Sequence, residues 1–134
     1  MRTLPIVLVA LVLAGCAPAA PLEKGDDGRF IVTPVVVSSA VSDDGLWLSA
    51  SGYVEGIAED DGRCTFTFRA AGGGASRLSS VGKADGSRTD CGTVEERTRT
   101  LFADDYELTI TYESPTAAGE SEPFPFVVPP YPTD

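Results

Sequence analysis

The sequence predicts an all-β, antiparallel sandwich of about seven strands, and three observations lead there. Apolar and polar residues alternate at period two in several stretches, turn signals separate those stretches at short intervals, and no window of ten residues carries a helical pattern. Short strands punctuated in this way fit sheet packed on sheet. Strand-helix-strand units would need a crossover helix between them.

The elements follow in chain order. Phe30 to Thr33 and Val35 to Val37 are β-branched or aromatic, and Pro34 inside the run marks an edge strand because proline brings no donor to a ladder. From Leu46 to Val54, the residues Leu46, Leu48, Ala50, Gly52 and Val54 share one face, and Trp47, Ser49, Ser51 and Tyr53 share the other. Cys64, Phe66, Phe68 and Ala70 alternate with Thr65, Thr67 and Arg69, and Tyr106, Leu108, Ile110 and Tyr112 alternate with Glu107, Thr109 and Thr111. Each pattern is that of a half-buried strand. Weaker strands are expected at residues 76–81, 93–101 and 123–129, the last from Phe124, Phe126 and Val128. Turns are expected at Asp44-Gly45, Asp61-Gly62, Gly72 to Gly74, Asp85-Gly86 and Asp104-Asp105.

The N-terminus has the layout of a secretory signal: Met1 and Arg2, an apolar stretch from Leu4 to Leu13 broken at Pro5, then Ala14 and Gly15 ahead of Cys16. The apolar stretch is about half the roughly 20 residues of a spanning helix. Leu13, Ala14, Gly15 and Cys16 resemble the lipobox of bacterial lipoproteins. The resemblance implies a signal peptide over residues 1–15, cleavage before Cys16, and palmitate-type acyl chains on Cys16 that hold the protein at the extracytoplasmic face of the cell membrane. Ala17 follows the anchor, so the aspartate of the inner-membrane retention signal is absent. The rival reading is an ordinary secretory signal that contains a cysteine.

Three cysteines in an exported chain leave one unpaired unless Cys16 is acylated. Cys64 and Cys91 are then expected to form a disulfide, contributing roughly 3.5 kcal/mol on the chain-entropy account of a loop this long. The alternative, a reactive thiol pair, lacks the Cys-x-x-Cys spacing that lowers a thiol pKa. Residues 16–28 are small, polar and proline-containing, and read as a lipidated tether; residues 29–129 read as the sandwich and residues 130–134 as a tail.

The segment from Leu101 to Tyr112 resembles the F-strand region of immunoglobulin-like domains, where a tyrosine opening the strand forms a corner with the preceding turn. The resemblance implies that Tyr106 is that tyrosine. More broadly, Leu46 to Val128 resembles the small Ig-like domains of secreted and lipid-anchored actinobacterial proteins, implying an Ig-like sandwich. The chain departs from antibody domains in having Leu108 where their second core cysteine stands and Trp47 ahead of Cys64.

The composition narrows function. With 10 basic and 20 acidic side chains, the net charge of −10 disfavours nucleic acid and anionic lipid headgroups. There is no histidine, so neither a Ser-His-Asp nor a Cys-His catalytic group can form. No phosphate loop or nucleophile elbow is present, and the expectation is a non-enzyme without cofactor. Asp-Asp-Gly recurs at residues 26–28, 43–45 and 60–62. These read as tight turns ahead of calcium loops, since the remaining ligands of a calcium loop are missing. Glu59, Asp60 and Asp61 are the densest acidic trio and the weak candidates for a metal. Trp47 and Tyr53, on one face of one strand, are expected to pack in the core or, alternatively, to contact a ligand. The tail from Pro123 to Tyr131 reads as an edge strand and an extended end, or as a docking segment. The expected function is a lipid-anchored envelope module that binds a protein partner without catalysis, the alternative being a glycan- or cation-binding module.

Overall fold

The computed structural model describes residues 21–132. Cys16, the signal peptide and the first residues of the expected tether lie outside the described residues. Ten strands build two packed sheets: β1 (Phe30–Ile31), β2 (Pro34–Val41), β3 (Trp47–Glu55), β4 (Arg63–Ala70), β5 (Ala75–Val81), β6 (Lys83–Asp85), β7 (Arg88–Arg97), β8 (Asp104–Glu113), β9 (Ala117–Glu120) and β10 (Phe124–Val128). One 3-10 turn, Thr98–Thr100, joins β7 to β8.

One sheet runs β2-β3-β7-β6 and the other β1-β9-β8-β4-β5, with β10 also paired to β8. β9 and β10 lie end to end along the same edge of β8, β9 against Thr111 to Glu113 and β10 against Asp104 to Leu108. Ser121 bridges the break, donating its N–H to the Ile110 carbonyl and accepting the Ile110 N–H on its hydroxyl. Counted as one interrupted strand, β9 and β10 complete the Ig-like order: A-B-E-D in one sheet and G-F-C with an added C′ in the other.

The clearest period-two patterns hold. Leu48, Ala50 and Val54 face Cys64, Phe66, Phe68, Leu108, Ile110 and Tyr112 across the sandwich, all buried. Tyr106 makes the expected corner, donating from its hydroxyl to the Phe102 carbonyl at 2.9 Å. Cys64 on β4 is bonded to Cys91 on β7, so the disulfide joins the two sheets. Ser80 reinforces this edge with a hydrogen bond to the Cys91 carbonyl.

Several expectations are corrected. The run from Phe30 to Val37 is two strands: β1 pairs in parallel with β9, and the chain then crosses to the other sheet as edge strand β2. The crossover is tight, with the Val32 carbonyl so close to Gly119 that a Cβ there would collide with it. The strand expected at 93–101 begins at Arg88 and ends at Arg97, because a bulge at Cys91 shifts the alternation midway; Gly92 takes a positive φ of 68° there. Asp104-Asp105 opens β8 instead of forming a turn. Part of the expected tether is folded: Leu22 packs against Gly56 and the core, and Ile31 donates to the Glu23 carbonyl.

Candidate functional site

The sandwich has two ends, fixed by strand direction. At one end lie the start of β4, the end of β8 and Gly56 after β3, where Leu22 brings the chain in. At the other lie the start of β3, the ends of β2, β7 and β10, and the loop from the 3-10 turn into β8. The nine residues of β3, eight steps at ~3.3 Å each, separate the two ends by about 26 Å.

Trp47 stands at the start of β3 on its outer face, 39% exposed. The expectation of core packing for Trp47 and Tyr53 is therefore corrected: Leu48 and Val54 take the inner face, and a strand has only two. Each ring is covered by an arginine of β7. The Arg97 guanidinium lies 5.0 Å from the Trp47 ring centre, and that of Arg88 lies 4.5 Å from the Tyr53 ring centre. A guanidinium over an aromatic face is attractive because the ring's π cloud is negative. Trp47 and Tyr53 are six residues apart and do not form one site.

What gathers around Trp47 comes from elsewhere. Leu46, Arg97, Arg99 and Tyr131 line a shallow cleft of about 130 Å³ with it. Tyr131 reaches it because the tail folds back after β10, bringing Pro132 against Gly45 in the β2–β3 hairpin. The hairpin itself is fixed by Asp44, which accepts the Ser42 hydroxyl and the Leu46 N–H; these bonds, the first above all, hold its carboxyl below the usual range. Thr98 donates to the Gly45 carbonyl and joins the 3-10 turn to the same hairpin. Beyond that turn, Phe102 is 87% exposed, and Val127 on β10 is exposed at this end as well. Five large apolar side chains, Leu46, Trp47, Phe102, Val127 and Tyr131, are thus exposed at the end opposite chain entry.

The acidic trio does not converge. Glu59 accepts hydrogen bonds from the hydroxyls of Tyr112 and Thr116, one on each carboxylate oxygen. Burial works to raise its pKa, but the Ser114, Thr116 and Tyr112 hydroxyls outweigh it and the carboxyl is lowered. Asp60 turns away to accept the Ala84 N–H, and Asp61 occupies the left-handed turn position at φ 73°. The three residues clasp the β3–β4 loop. The repeated Asp-Asp-Gly acts likewise at residues 26–28, where Asp27 accepts both the Arg29 N–H and its guanidinium.

Of the residues singled out from sequence as ligand or metal candidates, Trp47 alone lies at the aromatic end, where Tyr131 of the expected docking segment joins it. Phe102, Arg97 and Arg99 were not anticipated, and Tyr131 was anticipated as part of a docking segment but not as a neighbour of Trp47. The Pro-aromatic composition of residues 123–131 was the signal for Tyr131, while Arg97 could have been found only from the β3–β7 register, which places it opposite Trp47. No protein-family model, curated protein or solved structure matches this chain.

Proposed function

We propose that this protein is a lipid-anchored, non-catalytic module of the cell envelope that holds its aromatic-arginine end out to a protein partner. One observation carries the reading: five of the nine exposed large apolar side chains among the described residues, Leu46, Trp47, Phe102, Val127 and Tyr131, and with them all three exposed aromatics, collect at the end away from Leu22. A lipid on Cys16, six residues before Leu22, would place that end farthest from the membrane. Aromatic residues and arginine are the side chains enriched where protein partners bury their contacts. The Trp47 cleft, at about 130 Å³, falls below the roughly 300–1,000 Å³ of sites that enclose small ligands. That favours a protein surface over a glycan.

The test is photocrosslinking in intact cells from a probe at position 102. A defined protein adduct is expected, and Trp47→Ala should lower its yield more than tenfold with little change in melting temperature. Unchanged yield in Trp47→Ala would sink the reading. Quenching of Trp47 by envelope glycans without any protein adduct would reassign the end to a carbohydrate. Anchoring is tested separately: Cys16→Ser should abolish labelling by a palmitate analogue.

A further inference from the structure

The outer face of the β5-β4-β8-β9 sheet carries an ordered charge pattern. Thr65 lies opposite Thr111 and Thr67 opposite Thr109, giving a central square of four threonines. On the β4 and β5 side stand Arg63, Arg69 and Arg77; on the β8 and β9 side stand Glu113, Glu107 and Glu120. Arg63 and Glu113 share one row and Arg69 and Glu107 another, with the threonines between them. Most of these residues line one open groove. Among the described residues, the ion pairs within 4.0 Å are Arg29 with Asp27 and Arg88 with Asp85, so none of these three arginines is committed to a carboxylate. In a chain of net charge −10, three uncommitted arginines on one face call for an acidic counterpart.

The face itself supplies one. A two-fold axis lying in the plane of contact, parallel to the strands, reverses left and right while keeping each row level. Two copies stacked about such an axis set Arg63 of one against Glu113 of the other, and Arg69 against Glu107. Arg77 falls beside Glu120, and Thr65 meets Thr111 at the centre, while Thr67, 8% exposed, lies beneath the contact. We propose that this face is a self-complementary docking surface for a second copy of this chain. The contact is isologous and closed, so it ends at the dimer. Four columns about 4.8 Å apart and four rows about 6.7 Å apart give roughly 500 Å² per copy, near the ~1,000 Å² total of the smallest specific interfaces. The dimer is therefore weak and salt-sensitive. It leaves the Trp47 end free and does not rest on the function proposed for that end.

The charge arrangement dictates the experiment. Two differently tagged full-length copies are coexpressed, and one is captured after detergent extraction. The wild type should co-capture itself, and less so when salt rises from about 0.1 to 1 M, which shortens the Debye length from ~10 to ~3 Å. The variant Arg63→Glu with Arg69→Glu places glutamate against glutamate and should lose self-capture at least tenfold. So should Glu107→Arg with Glu113→Arg, by facing arginines. Coexpressed, the two variants should capture each other, because every facing pair is then opposite in sign; the chain bearing all four substitutions should again capture itself. Disulfide formation and melting temperature of each variant separate lost docking from lost folding. Absence of wild-type self-capture at low salt would overturn the proposal, as would failure of the complementary variants, both folded, to recover it.

Discussion

Tyr112 is buried to its hydroxyl, which donates to Glu59. Burial first, and then the hydrogen bond and charge of Glu59, push its pKa up to about 12 from an ordinary 10.0. A phenol whose folded pKa exceeds its unfolded one adds stability that is fully present below pH 10 and is lost as pH rises through about 12. Glu59 works in the opposite direction. Its lowered pKa adds stability above its ordinary 4.5, and this is lost as pH falls below that value. Denaturant titrations across pH should show both limbs, with Glu59→Gln flattening the acid one and Tyr112→Phe the alkaline one. At neutral pH, Tyr112→Phe should cost about 1.5–3 kcal/mol, the worth of a hydrogen bond to a charged group. Tyr106→Phe removes a neutral bond to the Phe102 carbonyl and should cost only about 1 kcal/mol in the same assay. The burial of Tyr106 and Tyr112 was readable from alternation. The partner of Tyr112 was not, because it lies 53 residues away on a loop.

Among elements, the disulfide and the sheet crossover make the sharpest predictions. Replacing Cys64 and Cys91 by alanine should lower unfolding free energy by roughly 3.5 kcal/mol, read from denaturant midpoints under oxidising conditions. Gly119→Ala drives a methyl group into the Val32 carbonyl. It should separate β1 from β9, and hydrogen exchange at Phe30 and Val32, whose N–H groups are bonded to Thr116 and Ala118, should accelerate before the core opens. These elements also show where the sequence stops being legible. β3, β4 and β8 keep one face buried throughout, so period two survives in their residues. β7 changes phase at the Cys91 bulge, and its first half reads as polar loop although Thr89 and Cys91 are buried. β9 is Ala-Ala-Gly-Glu, with no β-branched residue, and exists because β8 and β1 offer it partners on both sides.

For the whole molecule, turn spacing and alternation were enough to predict a sandwich, and Tyr106 pointed to an Ig-like corner, but the strand order was legible only in the structure. Alternation cannot assign a strand to a sheet, so the gathering of arginines on one face and of aromatic side chains at one end emerged only with topology. Overall charge yields a further prediction. Self-repulsion at net charge −10 is screened by salt, so melting temperature should rise modestly from low ionic strength to 0.15 M, where the Debye length is about 8 Å. Self-capture through the arginine face should weaken over the same interval, and opposite signs in one titration would separate folding from docking. The bond between Cys64 and Cys91 has a mechanical consequence. A domain fixed at one end and gripped at the other is pulled along its strands, and the bond keeps the segment between its cysteines from paying out. With 27 residues of separation withheld, extension stops about 90 Å short of the bare chain's reach at ~3.5 Å per residue. In single-molecule pulling, reduction should release that length as a separate step, marking the point at which a stretched molecule stops behaving as a short strap.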